Sequence, residues 1–170
     1  MLIDQRYVNH SKKEEHMGDV KSALQVFNEA DLKSEPGVTE GQTIKWLLGH
    51  DERPTERIRA ALASYTPGAV EQLHWHTIEA FYYIVSGRAI IRDIEGKLYD
   101  AGPGTVVYAP AGIAGSHEWE VPERLQLIAF RATTDPERKL QFTVDRSTMV
   151  SKIELGELIK RAGVRFKSLY

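Results

Sequence analysis

Between Gln42 and about residue 130 the chain is cut into short runs rich in β-branched and aromatic residues, and this segmentation constrains the fold more than any other feature. The runs read "TIKWLLG", "RIRAALASYT", "EQLHWH", "AFYYIVSGRAIIRDI", "KLYD", "TVVYAPA" and "RLQLIAFRA". Between them stand Pro67-Gly68, Gly87, Glu95-Gly96, Gly102-Pro103-Gly104, Pro110 and Gly112. Strand-forming runs punctuated by Gly and Pro read as strands and turns. Many of them at close spacing predict an all-β sandwich or barrel. Pro103-Gly104 suits a type II turn, in which Pro presets φ and Gly accepts φ > 0. A further run, "LQFTVD", extends the strands to about residue 145.

The flanks read differently. Ser11 and Glu14 have the spacing of a capping box, and Met17, Val20, Leu24 and Phe27 follow on one helical face. A helical extension over about 11–30 is therefore expected to lie against the body of the domain. Ser151 and Glu154 repeat the capping pattern, and Gly163 suits a C-terminal cap. Ile153, Leu158, Ile159 and Ala162 give that second helix, over about 152–162, a packing face. The expected organisation is one domain over 1–170 with a barrel core at about 42–145. A chain of 170 residues fits one domain better than two.

Composition narrows the chemistry. There is no cysteine, so disulfides, thiolate ligands and a cysteine nucleophile are excluded. Any metal must be held by histidine and carboxylate. The absence agrees with a cytoplasmic setting. The formal charge is −2 and no basic block occurs, so no nucleic-acid partner is expected. No apolar run approaches a membrane span, and the polar start "MLIDQRYVNHSKKEE" does not read as a signal peptide.

Within "LHWHTIEAFYYIVSG", His74 and His76 flank Trp75. Alternate residues of a strand share a face, so the two imidazoles point together and Trp75 points away. Their Cβ atoms stand roughly 7 Å apart, a span two imidazoles can close onto one ion. Hydrogen-bonded core histidines give the same pattern. The context that separates the two readings is glycine at 68 and 87, and a later cluster, "GTVVYAPAGIAGSH", ending in His117.

These residues together resemble the cupin superfamily. Its first motif runs Gly, five residues, His-x-His, three or four residues, Glu, six residues, Gly, and is matched by Gly68, His74, His76 and Gly87. Its second runs Gly, five residues, Pro-x-Gly, two residues, His. Gly104, Pro110 and Gly112 match it, and His117 arrives two residues late. The resemblance covers about Gly68 to Trp119. It implies a small antiparallel β-barrel of the double-stranded β-helix or jelly-roll type, a divalent metal at its mouth, and a homodimer. Where the family places its glutamate, this chain has Ala80, and Glu79 lies one residue earlier. The implied ligand set is His74, His76 and His117. Glu79 is the candidate fourth ligand, available only if a bulge re-aims it. The pattern His74, His76, Thr77, Ala80 and Gly87 also looks like that of the three-histidine gentisate and salicylate ring-cleaving dioxygenases.

That likeness implies Fe(II) held by three neutral imidazoles, with Zn, Mn and Ni left open. The expected function is a dioxygenase that cleaves a C–C bond of a small chelating substrate: an aromatic hydroxyacid, a diketone or a hydroxyketone. A non-redox lyase, hydratase or isomerase, or a non-catalytic binding module, uses the same positions. By strand parity Gln72 shares the face of His74 and His76, Tyr82 and Ile84 share that of Ala80, and Trp119 shares that of His117. Gln72 and Tyr82 are thus the candidate catalytic residues, and Trp119 a stacking platform. Barrel packing explains Tyr82, Ile84 and Trp119 equally well. No role falls to Arg59, Arg88, Arg92 or Arg131.

Overall fold

A computed structural model describes residues 22–132 and 141–153, and within them the backbone forms two antiparallel six-stranded sheets. The strands are β1 (Glu35–Pro36), β2 (Gln42–Leu48), β3 (Arg59–Tyr65), β4 (Val70–His76), β5 (Ala80–Ser86), β6 (Ala89–Asp93), β7 (Leu98–Ala101), β8 (Val106–Ala109), β9 (His117–Glu120), β10 (Leu125–Arg131), β11 (Gln141–Asp145) and β12 (Val150–Lys152). The first sheet has the order β1-β2-β3-β10-β5-β8 and the second β12-β11-β4-β9-β6-β7. The all-β architecture expected from the segmentation is thus present. Among the described residues the strand ladders do not join into a ring, so the barrel is an open-edged pair of facing sheets.

Gly87 makes the crossing between sheets. The run "AFYYIVSGRAIIRDI" looks continuous but breaks there into β5 of one sheet and β6 of the other. Gly87 has φ 79°, and a Cβ on it would collide with the Arg124 carbonyl, so only glycine fits. On β5 the alternation is regular: Ala80, Tyr82 and Ile84 are buried while Phe81, Tyr83 and Val85 are exposed. The inward residues join Ala89, Ile91, Trp119, Val121, Leu125 and Leu127 in one core between the sheets. Each fully buried Ile or Leu there contributes about 1.5–3 kcal/mol.

Sheet two contains a strand outside the strand-forming runs, at the place where parity put Trp119 on the face of His117. β9, "HEWE", is short and half charged, yet it pairs with β4 on one side and β6 on the other. Its alternation puts His117 and Trp119 inside and turns Glu118 and Glu120 to Arg146 and Arg92. Between β6–β7 of one sheet and β8 at the edge of the other lies a cavity of about 490 Å³ with His117 in its wall.

The expected helices are corrected where the structure describes them. Residues 22–28 carry no helix, and only a 3-10 turn, Glu29–Asp31, follows. Leu24, a described residue of the apolar stripe, is more than four-fifths exposed and has no surface to pack on. Tertiary packing, which stabilises most helices, is missing there. Phe27 lies instead under the Arg53 guanidinium. The earlier part of that helix lies outside the described residues. At the other end Ser151 and Lys152, at the expected helix start, belong to strand β12, and Ser151 Oγ accepts a hydrogen bond from Trp75 Nε1 at 2.9 Å. The rest of the second helix, to 162, lies outside the described residues. Among these residues no helix is long and apolar enough to cross a membrane.

Candidate metal centre

His74 and His76 come from β4, and His117 opens β9 directly opposite His74 in the ladder. The two extra residues before His117 are absorbed locally. Ile113–Gly115 curl into a 3-10 turn, and the Gly112 N–H donates to the His76 carbonyl at 2.9 Å. Gly115 packs so closely on the Pro110 carbonyl that a Cβ would not fit. The insertion therefore tightens into a turn and leaves His117 at the site.

The three rings converge. Their centroids lie 4.9 Å (His74–His76), 4.3 Å (His74–His117) and 5.7 Å (His76–His117) apart. One nitrogen from each lies within 4.8 Å of the others, and all three side chains are buried. His74 Nδ1 is 2.7 Å from the Gln72 carbonyl, and His117 Nδ1 is 2.8 Å from the Gly115 carbonyl. A carbonyl only accepts, so each Nδ1 carries a proton, and Nε2 is the atom each of these two rings presents to the site. This is how proteins orient imidazole for a metal. Burial, reinforced by the neighbouring His74, pushes the His117 pKa down to about 3, so it is neutral and ready to ligate at ordinary pH. Three buried imidazoles with a shared focus, two of them oriented through Nδ1, suit a divalent cation.

Tyr82 stands at that focus. Its hydroxyl lies 3.2 Å from His76 Nε2 and 3.1 Å from His117 Nε2, and it accepts a hydrogen bond from an Arg131 Nη at 2.8 Å. Burial raises the pKa of the phenol, and Arg131 opposes that rise. Trp119, fully buried, packs its ring edge-on to Tyr82 at 5.2 Å, so it is core and has no face for a substrate. Trp75 faces away as expected and stacks on Phe142 at 4.3 Å.

Two expected residues lie elsewhere. Gln72 is exposed; only its carbonyl takes part, through His74. The cause is a bulge. Glu71 pairs with Trp119 and His74 with His117, so three steps along β4 match two along β9. One extra residue reverses the parity before His74. Glu79 is exposed and accepts a hydrogen bond from the Tyr108 hydroxyl at 2.7 Å. No bulge brings it to the histidines.

Two residues at the site went unassigned in the sequence. Arg131 lies directly across the ladder from Ala80, and its guanidinium reaches Tyr82 and comes within 3.4 Å of His76 Nε2. Only the strand pairing reveals this. Glu71, turned inward by the bulge, has a carboxylate oxygen 3.5 Å from His74 Nε2.

A family model described as "Cupin domain" matches residues 61–130. An oxalate decarboxylase of Arthroderma benhamiae is 30% identical over 77 residues, which is 43% of this chain and 18% of that protein, so the match spans under a fifth of its length. Among solved structures, the polyketide cyclase RemF from Streptomyces resistomycificus superposes with a TM-score of 0.57 at 17% identity, covering 64% of this chain and 78% of the other. An RmlC-like cupin from Shewanella frigidimarina gives 0.54 at 16% identity, covering 65% and 92%.

Proposed function

This chain belongs to the cupin superfamily, and from that premise we propose that it is a metal-dependent enzyme of lyase type, acting on a small anionic substrate, with Tyr82 as the proton-transfer group. The observation that carries the reading is the position of the Tyr82 hydroxyl, within 3.2 Å of two candidate ligand nitrogens while accepting from Arg131. His74, His76 and His117 would hold the ion, which when bound supplies Lewis acidity toward substrate oxygens.

The chain's own groups do the rest. With the imidazole lone pairs engaged by an ion, the Tyr82 O–H would be left to donate to substrate. The Arg131 N–H donated to the phenol oxygen stabilises the phenolate that forms when that proton leaves. Arg131 is also the cation placed to pair with a substrate carboxylate. The buried surroundings exclude water and strengthen both contacts. Such a kit breaks or rearranges a bond beside a carboxylate without an oxidant. The names of two relatives, a decarboxylase and a cyclase, agree with this class of chemistry.

A second reading is the Fe(II) dioxygenase expected from the sequence. Ala80 in place of a glutamate favours it, because three neutral imidazoles leave an ion its full double charge for chelating anions. Metal analysis of protein purified without chelators, followed by anaerobic assays on small hydroxy- and keto-acids, separates the two. Turnover without oxygen that falls at least about 100-fold in Tyr82→Phe supports the lyase. Bound iron and a strict need for oxygen would replace it with the dioxygenase.

A further inference from the structure

We propose that Glu71 supplies the carboxylate ligand of this metal centre, delivered from β4 by the bulge instead of from β5; the inference rests on the metal-centre reading above. Three observations converge on it.

The first is orientation. Residues directly opposite each other in an antiparallel ladder share a face. Glu71 opposes Trp119 and His74 opposes His117, and both β9 residues point into the interior. Glu71 and His74 therefore point inward together, although they are three positions apart. The Glu71 side chain is only 12% exposed.

The second is distance. Two ligands each about 2.1 Å from one ion stand about 3.0–3.4 Å apart in octahedral or tetrahedral geometry. Glu71 Oε1 lies 3.5 Å from His74 Nε2. Glu71 stands on the His74 side of the group, whose three ligand atoms lie within 4.8 Å of one another without it, so its side chain would swing toward an ion held there.

The third is the chemistry between those two atoms. His74 Nδ1 lies 2.7 Å from the Gln72 carbonyl and so carries a proton, which leaves Nε2 as the atom that faces the Glu71 carboxylate. A carboxylate oxygen presents lone pairs. An imidazole nitrogen and a carboxylate oxygen face each other at this separation only when a proton or a metal cation joins them. The far oxygen is held in place: Oε2 accepts from the Tyr65 hydroxyl at 3.1 Å, and Tyr65 in turn accepts from Gln42. The Gln141 amide reaches Oε1 at 3.5 Å. The carboxylate is thus fixed from behind with one oxygen aimed at His74.

A carboxylate here lowers the charge of a divalent centre by one, which bears on the choice between the two functional readings. It replaces the glutamate missing at position 80, where Ala80 faces Arg131 instead.

The test is affinity of the full chain for zinc, measured by competition with a chromophoric chelator. Glu71→Gln, which keeps shape and removes charge, should weaken binding about 100-fold or more. Tyr65→Phe removes the support but leaves Oε1, and should weaken it less than about 10-fold. X-ray absorption of the zinc-loaded protein should show oxygen beside three imidazoles, with the carboxylate signature lost in Glu71→Gln. Binding by Glu71→Gln equal to wild type, or reduced no more than in Tyr65→Phe, overturns the proposal. If Glu71→Gln does not fold, Glu71→Asp keeps the charge but withdraws the oxygen. It should lose affinity, and wild-type affinity in it overturns the proposal too. His76→Ala serves as the control: its loss of zinc beside an unaffected Glu71→Gln overturns Glu71 alone, whereas zinc retained in His76→Ala overturns the three-histidine centre itself.

Discussion

The two ends of the space between the sheets are buried to a similar degree and built from opposite materials. At one end Ile84, Ala89 and Leu125 are completely buried, and nothing in their side chains needs a partner. At the other, His74, His76, His117 and Tyr82 are buried nearly as deeply, and their polar atoms meet carbonyls, one another or Arg131. The apolar end stabilises the fold by removing surface from water. The polar end costs stability, because burying donors and acceptors is tolerated only when they are bonded. The depressed pKa of His117 measures that cost for one ring. The lesson is a division of labour: one end holds the sheets together so that the other can keep three imidazoles aimed at a common point.

That division can be broken in order of effect. Leu125→Ala should cost about 2–5 kcal/mol of stability by opening a cavity. Denaturant unfolding measures it, and zinc affinity of the folded fraction should not change. If affinity falls in parallel, the two ends are not separable. His76→Ala should do the converse, weakening zinc binding at least about 100-fold while the metal-free protein unfolds within about 1 kcal/mol of wild type.

Acid should act on the polar end alone. His117 titrates near 3 in the fold and near 6.5 when unfolded. Between those values the unfolded chain binds the extra proton, so metal-free stability falls as pH drops below 6.5. This group contributes a slope of about 1.4 kcal/mol per pH unit. His117→Asn should flatten the slope, whereas Leu125→Ala should shift the curve without changing it. The smallest effects belong to the displaced candidates: Gln72→Ala and Glu79→Gln should alter zinc affinity less than about two-fold, within the usual range for surface substitutions.

How far the sequence disclosed this arrangement varied from strand to strand. On β5 the alternation from Ala80 to Val85 was legible because the ladder is unbroken there and each side chain keeps the face that parity assigns. On β4 the same rule misplaced Gln72 and hid Glu71, since the extra residue is a property of the pairing with β9 and leaves no mark in either strand alone. β9 did not stand out as a strand-forming run, although parity already placed His117 and Trp119 on one face: "HEWE" carries two charges that become sensible only beside Arg92 and Arg146. Arg131 looked like any strand arginine until its register against Ala80 was known. The apolar spacing of Leu24 and Phe27 promised a helix, but spacing cannot create a surface to receive it.

The central claim is that three Nε2 atoms share one divalent ion beside Tyr82. Anomalous diffraction at the absorption edge of the bound metal, on crystals of the loaded protein, tests it most directly. A single peak about 2.1 Å from Nε2 of His74, His76 and His117 is the predicted result. No peak at that point, with the Tyr82 hydroxyl still bridging His76 and His117, would contradict it.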